Sequence, residues 1–300
     1  MSETALSAPD APELSEARKL LRRMLGQKAF VFGVGLLLLF IAIALLAPVL
    51  APHDPYLQNL TARNVPPFWY EKGNWAHPLG TDPLGRDYLS RLLYGARISL
   101  VIGIASTVIA MLAGSLIGIL AGWYGGRFDV VVMQAMDILL AFPSLILGLI
   151  LVAMLGPSME NITIAIALTS IPSFARIARA PTISVKERDY IEAGRALAFS
   201  DARIMTRHIL PNIFPEILVM ASLWLANAIR TEASLAFIGL GVKPPTATWG
   251  GMIREGFENI LDSYWLVLAP SLAILIIVFA LNILGDGLRD AIDPKLKGER

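Results

Sequence analysis

Residues 29–52 read AFVFGVGLLLLFIAIALLAPVLAP, twenty-four positions without an Asp, Glu, Lys or Arg. A helix needs about 20 predominantly apolar residues to cross the hydrocarbon of a bilayer, and this run is long enough. Two more runs have the same character: Ile98–Gly126, between Arg97 and Arg127, and Ser263–Gly285, between Asp262 and Asp286. Between them lie Ile138–Met159, the shorter Asn161–Ala175, and Ile217–Leu240, interrupted by Arg230 and Glu232. Six spans follow, so the pattern predicts an all-α integral membrane protein with six transmembrane helices.

The composition agrees. Of 300 residues, 55% are hydrophobic and 16% charged, with a mean hydropathy of +0.62, whereas a soluble domain carries about 25% charged residues. Twenty-five Lys and Arg nearly balance 24 Asp and Glu, so a net charge of +1 offers no electrostatic case for nucleic acid. There is no cysteine, which excludes disulfides, thiolate nucleophiles and cysteine-bound metals. The three histidines, His53, His77 and His208, are scattered along the chain and predict no metal site.

Cytoplasmic flanks accumulate Lys and Arg. With the amino terminus inside, the inner segments hold 17 and the outer loops seven, so both termini are expected in the cytoplasm. The division is then a tail at 1–28, a first helix with its outer loop at 29–97, a core transmembrane region at 98–285 and a cytoplasmic tail at 286–300. The core contains a long inner loop at 176–216. The first span follows 28 polar residues, reading as a retained anchor rather than a cleaved signal, and residues 1–17 have the composition of an unstructured tail. Trp123, Tyr124, Tyr264 and Trp265 fall where an interfacial aromatic belt is expected.

Catalytic classes are thinly supported. No G-x-x-x-x-G-K-[ST] loop is present, so any ATP hydrolysis must come from another chain. No histidine lies in a predicted span, against a Ser–His protease, and Asp137 and Asp286 sit near span ends, against an aspartyl one. A secondary carrier built on inverted repeats is disfavoured by unlike halves: the long outer insertion at 53–97 and the inner loop at 176–216 have no counterparts.

That inner loop carries a pattern of its own. Tyr190–Leu197 fits a short helix with Ile191, Ala193, Ala196 and Leu197 as apolar or small positions, leaving Glu192 and Arg195 outward. Ser200 is placed as the N-cap of a second helix bearing Ile204, Met205, Ile209 and Leu210, with Pro211 as its limit. An amphipathic loop on the bilayer surface is the plainer alternative.

The same loop resembles that of ABC importer permeases, which carry Glu-Ala-Ala, three residues, Gly, nine residues, Ile, any residue and Leu-Pro. Glu192-Ala193-Gly194 opens the pattern here and Leu210-Pro211 closes it, with Ala198 in place of Gly and His208 in place of Ile. Alanine at 198 disfavours the left-handed turn that glycine allows. The resemblance implies that Glu192, Ala193, Gly194, Arg195, Ala196, Leu197 and Ala198 form a coupling element for an ATPase, with Glu192 most directly carried over.

A narrower resemblance is to the C-type permease of the dipeptide, oligopeptide and nickel importer group. It rests on HPLGTD (77–82) with LGRD (84–87), DILLAFP (137–143), TEASL (231–235) with FIGLG (237–241), and LGDGLRD (284–290). The resemblance implies the ABC importer permease fold, with residues 98–285 as the permease domain, and peptide transport in the bacterial inner membrane. It also implies a homologous second permease, two ABC ATPases carrying ATP and Mg²⁺, and a periplasmic or extracellular solute-binding protein. No cofactor is expected in this chain. A proton-coupled carrier and a non-transporting scaffold are the alternatives.

Individual polar residues have readings of their own. Asp82, Arg86, Asp87 and Arg91 alternate in sign at near-helical spacing, predicting a short outer amphipathic helix, solvated and salt-bridged, with contact to a delivery protein as the alternative. Asp137 is expected to bond to backbone across helices, and Pro143 to kink or start a span. Arg230 and Glu232 are costly at membrane depth and are read as a paired buried charge. A fifth span starting right after Pro211, the preferred register, brings both out near the outer face with 233–242 as a short re-entrant or interfacial segment, and a start at Ile217 would set them deep, facing the pathway. Asn282 joins them as a pathway or structural polar candidate. Gly114 and Gly118 form a G-x-x-x-G, read as packing within the subunit rather than a seam with a second one.

Overall fold

The computed structural model describes residues 24–261 and 263–292. The tail expected at 1–17, Asp262 and the end of the carboxy-terminal tail lie outside the described residues. The described chain is nearly all helical: α1 Lys28–Leu50, α2 Tyr88–Tyr124, α3 Gly126–Leu140, α4 Ser144–Leu155, α5 Met159–Lys186, α6 Asp189–Ala196, α7 Asp201–Ile204, α8 Leu210–Leu235, α9 Trp249–Phe257 and α10 Trp265–Ile292. Among the described residues, five helical stretches are long and apolar enough to span a membrane, and the bent pair α3–α4 makes a sixth. The fold is therefore the expected all-α, multi-span one.

The first span stands close to its predicted limits, because an uncharged run leaves little else for the backbone to do, whereas the last helix starts at Trp265 and runs seven residues past Gly285 to Ile292. Others move, each for a local reason. α2 begins ten residues earlier than Ile98, since Asp87 caps it by accepting a hydrogen bond from the Ser90 N–H at 2.8 Å. The predicted third span is broken: α3 and α4 meet at 88° across Ala141–Pro143, where proline removes a backbone donor and keeps the preceding residue out of helix. The fourth span extends to Lys186, so the inner loop starts at Glu187 rather than 176.

Pro211 does not end the second inner-loop helix. A wide turn over Met205–Ile209, in which the Leu210 N–H donates to the Met205 carbonyl five residues back, accommodates the proline, and the helix begun at Asp201 continues into α8. α8 itself starts at Leu210, beside Pro211. The segment after Glu232 continues as helix into a second wide turn at Ala236–Leu240. The segment 241–264 contains α9, a helix with no counterpart among the sequence expectations; Thr248 caps it by accepting from the Gly251 N–H at 3.0 Å.

α2 and α5 form the tightest seam. A Cβ placed on Gly118 would lie 2.2 Å from the Ala175 carbonyl oxygen, and one on Gly114 2.6 Å from that of Ile171. The glycines therefore permit backbone approach within one subunit, as expected. A core of Phe30, Phe40, Leu100, Ile229, Trp249 and Leu281 ties α1, α2, α8, α9 and α10 together. A second, with Trp123, Phe174, Ile191, Ile204 and Ile213, sits under the inner loop.

Candidate functional site

The four charged residues expected on a solvated outer helix are instead buried. Asp82 and Arg86 occupy a tight turn before α2, in which Asp82 Oδ1 accepts from the N–H groups of Leu84 and Arg86 at 2.9 and 3.0 Å. The turn buries their side chains to 2% and 4% exposure, and Arg91 to 1%. Arg86 Nε lies 2.5 Å from Asp82 Oδ2, and Arg86 and Arg91 both donate to Glu255 Oε2 on α9, at 2.9 and 2.8 Å. Two guanidiniums are thus clamped between two carboxylates, joining the loop after α1, α2 and α9. The alternating signs are legible in the sequence, but their partner Glu255 is not, because it lies on α9, outside every predicted span. The apolar spacing of Trp249, Met252 and Gly256 was the signal that could have found it.

Beneath the clamp, Glu232 is fully buried in α8 and is not paired with Arg230. Ser99 Oγ donates to Glu232 Oε2 at 3.2 Å and accepts from the Trp249 N–H at 3.2 Å, while Trp249 Nε1 donates to the Leu92 carbonyl at 3.1 Å. The paired-charge expectation is corrected: two residues apart on a helix, the side chains point about 200° from one another. Arg230 is exposed, donates to Asn227 Oδ1 at 3.3 Å, and lines a cleft of about 550 Å³ with Leu145, Ser234, Phe237 and Ile274. Asn282 is exposed on α10.

A second cleft, of about 480 Å³, is lined by Asp129, Met133, Gln134, Asp137, Arg176 and Arg179. Arg179 makes a two-pronged ion pair to Asp129, and Arg176 Nη2 meets Asp137 Oδ1 at 2.5 Å. Asp137 therefore bonds to a side chain rather than to backbone, because extension of α5 brings Arg176 opposite it.

At the inner loop, α6 and the turn after it expose Glu192, Ala193, Arg195, Ala196, Leu197 and Ala198, while Gly194 and Ile191 face inward. The Phe199 N–H donates to the Gly194 carbonyl at 3.0 Å and the Ala198 N–H to that of Arg195 at 2.9 Å, a left-handed helix end with Ala198 at φ +56°. The left-handed turn forms despite the alanine. Trp123, expected in an interfacial belt, is buried within the subunit, and the Arg195 guanidinium stacks 4.6 Å from its ring centroid. Lys186 donates to the Trp123 carbonyl, so the end of α2 seats both arms of the loop.

The comparisons with known proteins agree with this layout. A family model described as "Binding-protein-dependent transport system inner membrane component" matches residues 114–298, and another, the "N-terminal TM domain of oligopeptide transport permease C", matches residues 15–67. The dipeptide transport system permease protein DppC of Haemophilus influenzae is 43% identical over 267 residues, covering 89% of this chain and 90% of that protein. The di/tripeptide permease DppC of Pseudomonas aeruginosa is 45% identical, covering 90% and 89%. The glutathione permease GsiD of Pectobacterium atrosepticum is 43% identical, covering 93% and 91%. Among solved structures, the inward-facing MetNI methionine ABC transporter superposes with a TM-score of 0.57 at 17% identity, over 68% of this chain and 98% of that one, a likeness of fold.

Proposed function

Since the chain belongs to the family of binding-protein-dependent transport system inner membrane components, multi-pass proteins of the bacterial inner membrane, we propose that it is the permease subunit of an ATP-driven importer of di- and oligopeptides. In this reading it lines the translocation path with a homologous second permease. Both termini face the cytoplasm, two separate ATPases supply ATP and Mg²⁺ chemistry, and an outer solute-binding protein delivers the peptide. Peptide cargo is supported by the relatives named for dipeptides and di/tripeptides.

The observation that carries the proposal is the inner loop. α6 presents Glu192 and the 70%-exposed Leu197 outward, while Arg195 and Ile191 fasten it to the end of α2. A helix with exposed apolar and acidic groups on a firm seat is built to be pushed. Closure of the ATPase pair would displace it, and the spans joined to it would tilt between inward-open and outward-open states. The clamp of Asp82, Arg86, Arg91 and Glu255 keeps the outer end rigid, and Arg230 and Asn282 are the polar groups offered to the path.

The test is Glu192→Lys in the full assembly. The variant is expected to insert normally, lose ATPase co-purification and lose ATP-dependent peptide uptake. ATPases still recovered in full amounts would overturn the coupling role, and uptake by the wild-type chain alone without ATP would replace the importer with a carrier.

A further inference from the structure

His53 and His77, expected to lie scattered, converge with Asp87 where the chain leaves α1 and enters α2. The rings of His53 and His77 stand 4.7 Å apart between centroids. His77 Nδ1 lies 2.8 Å and His53 Nδ1 3.6 Å from the same atom, Asp87 Oδ1, and one ligand atom from each residue lies within 4.8 Å of the others. The other carboxylate oxygen, Oδ2, is engaged by the Ser90 N–H and hydroxyl at 2.8 and 2.7 Å, so Oδ1 is left for the imidazoles.

We propose that these three side chains form a binding site for a divalent transition-metal ion of the zinc class. The separation between His53 Nδ1 and Asp87 Oδ1 is too long for a hydrogen bond, but it matches the edge of a coordination tetrahedron. Ligand distances of 2.0–2.2 Å give edges of about 3.3–3.6 Å. The closer His77 contact has only to open by about half an ångström, with the imidazole proton moving to Nε2. Two imidazole nitrogens and one carboxylate oxygen suit zinc, cobalt, nickel or copper, and are too few and too nitrogen-rich for calcium or magnesium.

The surroundings hold the ligands in place. Ser90 Oγ bonds to Asp87 Oδ2 and also accepts the His53 N–H at 3.1 Å, so one hydroxyl orients two ligating residues. Asp87 is 1% exposed and His53 40%, which gives the ion a buried anchor and a route from solvent. Three protein ligands leave a fourth position for water or an incoming side chain. A bound ion would staple the end of the first span to the start of the second through the intervening loop. This site stands apart from the transport reading.

The test uses the full chain with its co-purifying subunits, isolated through a tag without histidine, stripped with chelator and titrated with Zn²⁺ and then Co²⁺. One zinc per chain is expected by elemental analysis, with a cobalt visible spectrum of nitrogen and oxygen ligation. His53→Ala and His77→Ala are each expected to weaken zinc binding by more than about tenfold while eluting as folded protein. Stoichiometric zinc retained by the double variant, or none bound by the wild type, would overturn the proposal.

Discussion

Arg91 and Glu255, 164 positions apart, meet at 2.8 Å, and Arg86 reaches the same carboxylate oxygen at 2.9 Å. Removing Glu255 leaves both guanidiniums with Asp82 alone. Glu255→Ala is therefore expected to lower stability by about 3 kcal/mol, because breaking a buried pair strands the charge that remains. Thermal unfolding in detergent reads this directly, and an unchanged midpoint would show that the clamp holds nothing.

The α2–α5 seam makes a sharper steric prediction. Gly118→Val puts a Cβ 2.2 Å from the Ala175 carbonyl oxygen, which backbone cannot yield cheaply. The expected result is loss of about 1–3 kcal/mol or failure to accumulate folded protein. Gly35→Val, with open space around its position, serves as the control and should unfold like the wild type.

Ala198 occupies the left-handed region at φ +56° without the freedom of glycine. Ala198→Gly relieves that strain while loosening the unfolded chain, for a net gain of about 0.5–1 kcal/mol. Slower hydrogen exchange at the Ala198 and Phe199 amides is the measurement, since both donate within the turn. Faster exchange would mean that the alanine is not strained.

Stacking of Arg195 on Trp123 should emerge as a coupling energy. A double-mutant cycle of Arg195→Ala and Trp123→Phe is expected to return about 0.5–2 kcal/mol of interaction. Strictly additive effects would remove Trp123 as the seat of the inner loop.

The spans were legible because a long run without charge has one stable solution in a bilayer, and the stretch 29–52 admits no other. Gly114 and Gly118 likewise announced a close helix contact at the right spacing. What stayed hidden depended on partners distant in sequence. The sign alternation of Asp82, Arg86 and Arg91 looks the same on a solvated helix and in a buried clamp, and only Glu255 decides between them. Trp123 had the address of an interfacial residue until Arg195 covered it. Pro211 looked like a stop because the wide turn that absorbs it leaves no mark in local propensity. His53 and His77 met through the folding of the loop between them, which periodicity does not describe.

The regular helix α8, Leu210–Leu235, has a mechanical consequence. Its 26 residues at 1.5 Å each make a rod about 39 Å long, with the loop-side turn before one end and the Arg230 cleft near the other. A rocking of about 5° around its middle would carry each tip by about 1.7 Å, in opposite directions. The two wide turns, at 205–209 and 236–240, sit at the tips rather than the fulcrum, so the shaft between them works as a single lever and its ends supply the give.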